Sequence, residues 1–450
     1  MIFPKKYSFI IIGFVFILYF LFAYFLERTS FYSMLVLWGL LFFCTYSIIT
    51  NKQYNFVFLA VLALLFRLVF LFALPNLSQD FYRFIWDGRM LFEGFNPYLS
   101  LPQTFIENRD YPINQAIELY NGMGSMNGSH YTNYPPINQL CFFIAALIAN
   151  KSILGSAIVM RLLIIAADIG ILFYSKKLLE QLQLPIHNIF IYILNPFVII
   201  ELTGNLHFEP VMLFFFVFSL YKLRQKKWFI AGILFALSIS VKLIPLLFLP
   251  IFFQFFVKNE PSLYKGIKNL IGFYSIVFIA LLFLFIPFLS VQFLQNYTNS
   301  VGLWFKNFEF NASFYYLSRE IGYLFRGYNE IAVIGKIMPV LTIVFLSYIT
   351  FFKENKNIQQ VIVSMLLVLS FYYFTTTTMH PWYIATLLIL SVFTTYRYPF
   401  VWSFVVILSY QAYANTPWKE NLWFVFMEYT ILYSFIFMEM KAKISFLKQS

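Results

Sequence analysis

Long apolar runs, many close to the roughly 20 residues a helix needs to cross a bilayer, alternate along this chain with short polar breaks. Backbone N–H and C=O groups find no partner in hydrocarbon, so such runs read as helices. Spans are predicted at 7–26, 31–49, 56–74, 153–174, 188–202, 210–221, 228–241, 244–257, 270–289, 331–350, 358–374, 383–396, 400–413 and 422–438. The stretch 228–257 also reads as one long helix broken near Lys242 and Pro245. The run 137–149, behind Pro135-Pro136, falls short of a span and reads as a re-entrant or interfacial helix. The first run follows Lys5 and Lys6 like a signal peptide, yet it lacks a small-x-small cleavage site and another apolar run succeeds it at once. An uncleaved first span is expected. No fixed-period repeat interrupts this pattern. The predicted fold is therefore all-α, a polytopic transmembrane bundle of 13–14 spans forming a single domain over 1–450.

Composition agrees with lipid as the solvent. The 450 residues are 61% hydrophobic and only 11% charged, whereas a soluble domain carries about a quarter charged residues. The net charge of +12 does not imply nucleic acid, because Lys and Arg fall in short clusters between apolar runs, as in cytoplasmic loops. With the N-terminus inside, the inner loops take Lys5, Lys6, Lys52, Lys176, Lys177, the Lys222–Lys227 cluster, Lys258, Lys265, Lys268, Lys353, Lys356, Arg397, Lys441, Lys443 and Lys448. The outer set is smaller: Arg28, Arg83, Arg89, Arg109, Lys306, Arg319, Arg326 and Lys419. Counting 137–149 as a full span would reverse every later loop, which favours the re-entrant reading. Both termini are then cytoplasmic, and two large segments, 75–136 and 290–330, lie outside. Cys44 and Cys141 sit in apolar stretches and are expected to be free buried thiols.

Chemistry is expected in the first outer segment. Asp80, Arg83 and Asp87 recur at i, i+3 and i+7, so on a helix they share a face. A solvated helix lying on the membrane explains that pattern, and so does a carboxylate at the mouth of a cavity. The segment reads Asp80-Phe81-Tyr82-Arg83-Phe84-Ile85-Trp86-Asp87-Gly88-Arg89, then Gly94-Phe95-Asn96-Pro97-Tyr98. Tyr134-Pro135-Pro136, Asn195-Pro196, Gly204-Asn205-Leu206-His207-Phe208-Glu209, Lys242-Leu243-Ile244-Pro245, Phe310-Asn311-Ala312-Ser313 and His380-Pro381-Trp382-Tyr383 follow in order. This series resembles the GT-C glycosyltransferases, in particular bacterial polyprenol-phosphate-dependent mannosyltransferases and the catalytic subunit of GPI mannosyltransferase I.

The resemblance implies an enzyme that transfers a sugar, mannose in those relatives, from a polyprenyl-phosphate donor to a lipid-linked or glycan acceptor on the non-cytoplasmic face. Its partners are then that donor, that acceptor and membrane lipid, with no nucleic acid. It implies inverting displacement with Asp80 as base, and a bacterial inner membrane as the setting. The family commonly opens this loop with paired acids, whereas Ser78 and Gln79 precede a lone Asp80 here. That departure speaks against a two-carboxylate metal site, so no cofactor is expected. Nor is there a P-loop or dinucleotide fingerprint, which fits a donor that is not a nucleotide.

The remaining candidates are cations and rings. A lysine inside a span costs roughly 2.5–3.5 kcal/mol to insert, so Lys242 should face a polar cavity, where it meets donor phosphate, or form a structural ion pair or snorkel. Arg161, Asp168, Arg67 and Lys336 read as structural contacts first. Arg83, Asp87, Arg89, His207, Glu209, His380, Trp382 and Tyr383 are candidate substrate-binding residues, though lone histidines are more often structural and outer aromatics also suit a membrane belt. The rival readings are a transporter or flippase of lipid-linked sugar, and a non-catalytic subunit of such an enzyme. A transporter often shows repeats of matching hydropathy, which this chain lacks.

Overall fold

The computed structural model describes the backbone of residues 5–51, 53–306, 308–415 and 417–449. Of the charges counted above, all of Lys52 and the side chains of Lys5, Lys6, Lys306 and Lys448 lie outside the described residues. The chain folds as α1 (Lys5–Tyr24), α2 (Phe31–Thr50), α3 (Phe56–Leu68), α4 (Asp80–Phe92), α5 (Pro102–Glu107), α6 (Ala116–Gly128), α7 (Pro136–Ala149), α8 (Ile153–Gln181), α9 (Phe190–Ile193) and α10 (Glu209–Arg224). It continues as α11 (Trp228–Ile239), α12 (Phe252–Val257), α13 (Leu263–Phe285), α14 (Val291–Lys306), α15 (Phe314–Arg326), α16 (Ile331–Phe351), α17 (Ile358–Thr375), α18 (Ile384–Val392), α19 (Tyr398–Val405) and α20 (Leu422–Gln449). The described residues contain no strand, only one isolated bridge between Phe310 and Thr378. The all-α polytopic expectation is met.

The number of full-length spans is lower than expected. Among the described residues, six helices are long and apolar enough to cross a membrane alone: α2, α8, α13 with its extension to Phe288, α16, α17 and α20 as far as Lys443. Four other predicted spans are shorter apolar helices, Phe56–Leu68, Trp228–Ile239, Ile244–Val257 and Pro381–Val392, and the segment expected to be re-entrant or interfacial is the short apolar helix Pro136–Ala149. The predicted span 56–74 runs past the end of α3 at Leu68, because the segment that follows is itself apolar. Cys44 and Cys141 are free and buried.

The helical breaks have identifiable causes. Pro196 cannot donate to the ladder, and Asn195 uses its side chain instead, accepting from the Phe197 N–H (3.0 Å) and donating to Ser403 Oγ (3.0 Å). The two flanking segments, Ile186–Ile193 and Val198–Gly204, meet at 60°. The second is a wide π turn, a geometry found mostly at functional sites. Arg161 satisfies its exposed carbonyls, donating to Thr203 (2.9 Å) and Gly204 (2.8 Å), and also to Leu71 (2.9 Å). Arg67 pairs with Asp168 at 2.8 Å and donates to the Ile193 carbonyl at 2.7 Å. Arg161 and Asp168 are thus interhelical contacts, each with a different partner. The stretch 228–257 breaks where expected: α11 ends at Ile239, and a 3-10 turn over Ile244–Ile251 leads into α12.

Two packings position the outer segment. α4 lies on α7 through the stacked rings of Phe84 and Phe142, 4.7 Å apart, and through Gly88. A Cβ at Gly88 would fall 2.2 Å from the Phe142 carbonyl oxygen, so the closeness of these helices depends on the missing side chain. The N-terminus of α7 is in turn fastened to the turn after α11: the Ile137 N–H donates to the Ser240 carbonyl (2.9 Å) and hydroxyl (3.2 Å).

Candidate active site

Asp80 is the first residue of α4 and is partly exposed. Asn127 Nδ2 donates to its Oδ1 at 3.3 Å, and among the described residues no cation pairs with it. Burial pushes its carboxyl above the usual range, against the pull of the Asn127 hydrogen bond and of the positive charges on Lys242 and Arg28. The loop before it is held from across the fold, because Asn205 Oδ1 accepts from the Leu77 N–H at 2.9 Å. The Gly-Asn motif therefore fixes Asp80 relative to the His207–Glu209 turn that follows Asn205.

The other α4 candidates turn into the loop's own structure. Arg83 Nε pairs with Asp87 at 2.8 Å, and its Nη1 donates to the carbonyls of Asn127 (2.7 Å) and His130 (2.8 Å). Asp87 is fully buried and also accepts from Gln139 Nε2 at 3.0 Å. Arg89 donates to the Asn114 carbonyl (2.6 Å) and Gln115 Oε1 (3.1 Å). Arg83, Asp87 and Arg89 are thus engaged in holding the outer segment together, with α4 packed against α6 and α7. A surface depression of about 630 Å³ lined by Tyr111, Gln115, Glu118 and Asn121 contains none of the candidate residues.

The remaining candidates converge. Lys242 Nζ contacts the Glu209 carboxylate, and the Glu209 Oε2 atom has no partner. The pair is the structural ion pair that the sequence allowed for Lys242. It remains one-fifth exposed on the lysine side, so an incoming anion has access to the ammonium. His207, reached through a left-handed Leu206 (φ 62°), stacks on Trp382 at 3.9 Å. Trp382 stacks on His380 at 4.5 Å, giving a three-ring sandwich. Burial, helped by the charge of Lys242, pushes both imidazoles down, His380 to about 3, so both are neutral near pH 7. Tyr383 lies against Tyr373, ring centres 5.7 Å apart. The segment carrying His380 is pinned by Phe310, which accepts from the Met379 N–H (2.8 Å) and donates to the Thr377 carbonyl (3.1 Å).

Several members of this cluster were not singled out as site residues from the sequence. Glu201, in the π turn, accepts from the Tyr410 hydroxyl at 2.5 Å and lies 3.9 Å from His207 Nε2. Tyr134 carries its ring 5.0 Å from Phe84, while its carbonyl accepts from the Tyr98 hydroxyl at 2.5 Å, so Asn-Pro-Tyr and Tyr-Pro-Pro form one clamp. Arg28 lies over the Tyr413 ring, 3.3 Å from its centre. The only signal for Arg28 was a lone arginine in an outer turn between two apolar runs. Among the described residues, no group of three or more His, Cys, Asp or Glu is placed to hold a metal.

The arrangement offers a partly exposed carboxylate, two cations whose charges act on it, and neutral rings packed around them. No curated protein matches the chain. A family model does: alpha-(1->6)-mannopyranosyltransferase, N-terminal domain, over residues 21–258. That stretch is more than half of the 450 residues and includes Arg28, Asp80, Tyr134, Glu201, His207, Glu209 and Lys242. With six helices able to span a bilayer and a match of this extent, the chain belongs to the alpha-(1->6)-mannopyranosyltransferase family and is an integral membrane mannosyltransferase.

Proposed function

We propose that the protein transfers mannose from a polyprenyl-phosphate donor to a lipid-linked or glycan acceptor on the non-cytoplasmic face, forming the alpha-(1->6) linkage of its family. The observation that carries this reading is Asp80: a carboxylate held by an amide and not by a cation, raised in basicity by burial, and within the field of Lys242 and Arg28. In the proposed step the acceptor hydroxyl oxygen attacks the anomeric carbon while Asp80 takes its proton. The carbon–oxygen bond to phosphate breaks, its electron pair leaves with the polyprenyl phosphate, and the anomeric configuration inverts. General-base help of this kind is worth typically 10²–10⁴-fold. Negative charge building on the leaving phosphate is met by a preorganised cation, the role proposed for Lys242 as it shares its ammonium with Glu209. The 1–450 chain acts as one domain in this reading, with no resident metal, in a bacterial inner membrane with both termini cytoplasmic. The excess of Lys and Arg in the inner loops supports that orientation.

The test is turnover by the purified chain of mannose carried on polyprenyl phosphate, with a panel of mannosylated acceptors, for wild type and Asp80→Asn. Transfer by wild type and at least a hundredfold loss in Asp80→Asn, at unchanged thermal stability, is the expected result. More than about a tenth of the activity surviving in Asp80→Asn would remove Asp80 as the base.

A further inference from the structure

Arg28, half-buried beside the cluster, differs from Arg67, Arg83 and Lys242 in having no carboxylate of its own. It differs from Arg161, which also lacks one, in not spending its fork on the carbonyls of the π turn. Arg67 has Asp168, Arg83 has Asp87 and Lys242 has Glu209, whereas no ion pair is formed by Arg28 among the described residues. Its guanidinium carbon rests 3.3 Å from the centre of the Tyr413 ring, a contact that holds the fork in place. Its Nε is buried and makes no hydrogen bond, although a guanidinium N–H sheltered from water is costly to leave unmade. The turn that carries it joins α1 to α2, and Tyr413 follows Tyr410, whose hydroxyl is bound by Glu201 beside His207. The positive charge of Arg28 is felt at Asp80, His207 and His380, so it stands in the same polar cluster as the base. The Lys242–Glu209 pair is already neutral as a unit. Arg28 is left with a charge that forms no ion pair among the described residues and with a buried Nε donor that makes no hydrogen bond there.

We propose that Arg28 binds the phosphate of the lipid donor, and of the lipid phosphate left after transfer. A guanidinium fork matches phosphate oxygens two at a time, which a lysine ammonium cannot do. The phosphate also supplies the missing counter-charge. This inference rests on the donor proposed above, and it assigns Arg28 the grip on the phosphate while Lys242 stays shared with Glu209.

The experiment measures direct binding of a short-chain isoprenyl phosphate, and separately the donor and acceptor KM, for wild type, Arg28→Met and Arg28→Lys in the same nanodiscs. Losing charge-assisted hydrogen bonds should weaken isoprenyl phosphate binding and raise donor KM roughly ten- to a hundredfold in Arg28→Met. Acceptor KM should not move, and Arg28→Lys should recover only part of the loss. Arg28→Lys also serves as the test should Arg28→Met fail to fold. Unchanged isoprenyl phosphate binding in a folded Arg28 variant overturns the inference, as does a rise confined to acceptor KM, which would place Arg28 at a phosphate of the acceptor. Wild type that binds isoprenyl phosphate through Arg28 without turning over the mannosylated donor upholds this inference and sinks the proposed reaction.

Discussion

A carboxylate accepts a proton only while ionised, and that ties the environment of Asp80 to a measurable pH profile. Burial raises its pKa, so activity through this base should be full at high pH and fall as pH drops through the raised value, above the ordinary carboxylate range. Lys242 pulls the same pKa down. Its replacement in Lys242→Met should therefore move the acid limb of kcat/KM to higher pH, besides leaving the Glu209 carboxylate without its cation. A limb that stays in place in Lys242→Met would disconnect the two residues. Asp80, Lys242, Glu209 and the two histidines were legible in the sequence because each stands in a polar interruption of an apolar run. Arg28, Tyr410 and Tyr413 had no such mark: an arginine in an outer turn, or a tyrosine near a helix end, suits an ordinary membrane interface equally well.

Among the elements, the recurring motifs turn out to be fasteners. Gly88 lets α4 reach α7, Asn205 ties the π turn to Leu77, Ser240 anchors the start of α7, and Phe310 holds the strand-like stretch before His380. Gly88→Ala places a methyl against backbone, which cannot move aside as a side chain can, so it should cost about 1–3 kcal/mol and lower the detergent-solubilised melting temperature. Asp80 rides on the same helix, and turnover should fall in step. A stable, fully active Gly88→Ala protein would mean that α4 and α7 separate without consequence for the site. The helical class and the break at Lys242–Pro245 were legible because proline leaves a local chemical trace, whereas the 60° bend at Asn195-Pro196 falls inside the predicted span 188–202, which reads as continuous helix. The π turn and the true lengths of the short helices were not, since hydropathy does not distinguish a buried apolar turn from a lipid-facing helix.

For the molecule as a whole, the proposed sidedness follows from charge in the loops. Single cysteines at Glu107 and Ala414, both exposed, should react with an impermeant maleimide from the non-cytoplasmic side, and cysteines at Lys226 and Lys356 should not. Reaction at Glu107 from the cytoplasmic side only would turn the assignment over and move the site to the other face. The three-ring stack has a further consequence. His207 comes from the stretch matched by the family model, while Trp382 and His380 come from beyond it, as do Tyr383, Tyr410 and Tyr413. Arg28, Asp80, Glu201, Glu209 and Lys242, the acids and bases of the cluster, all precede residue 258. Across this seam one partner brings charge and the other brings shape. The later portion is then a mould around charges it does not supply, and through Tyr410 and Tyr413 it also sets how two of them, Glu201 and Arg28, are held.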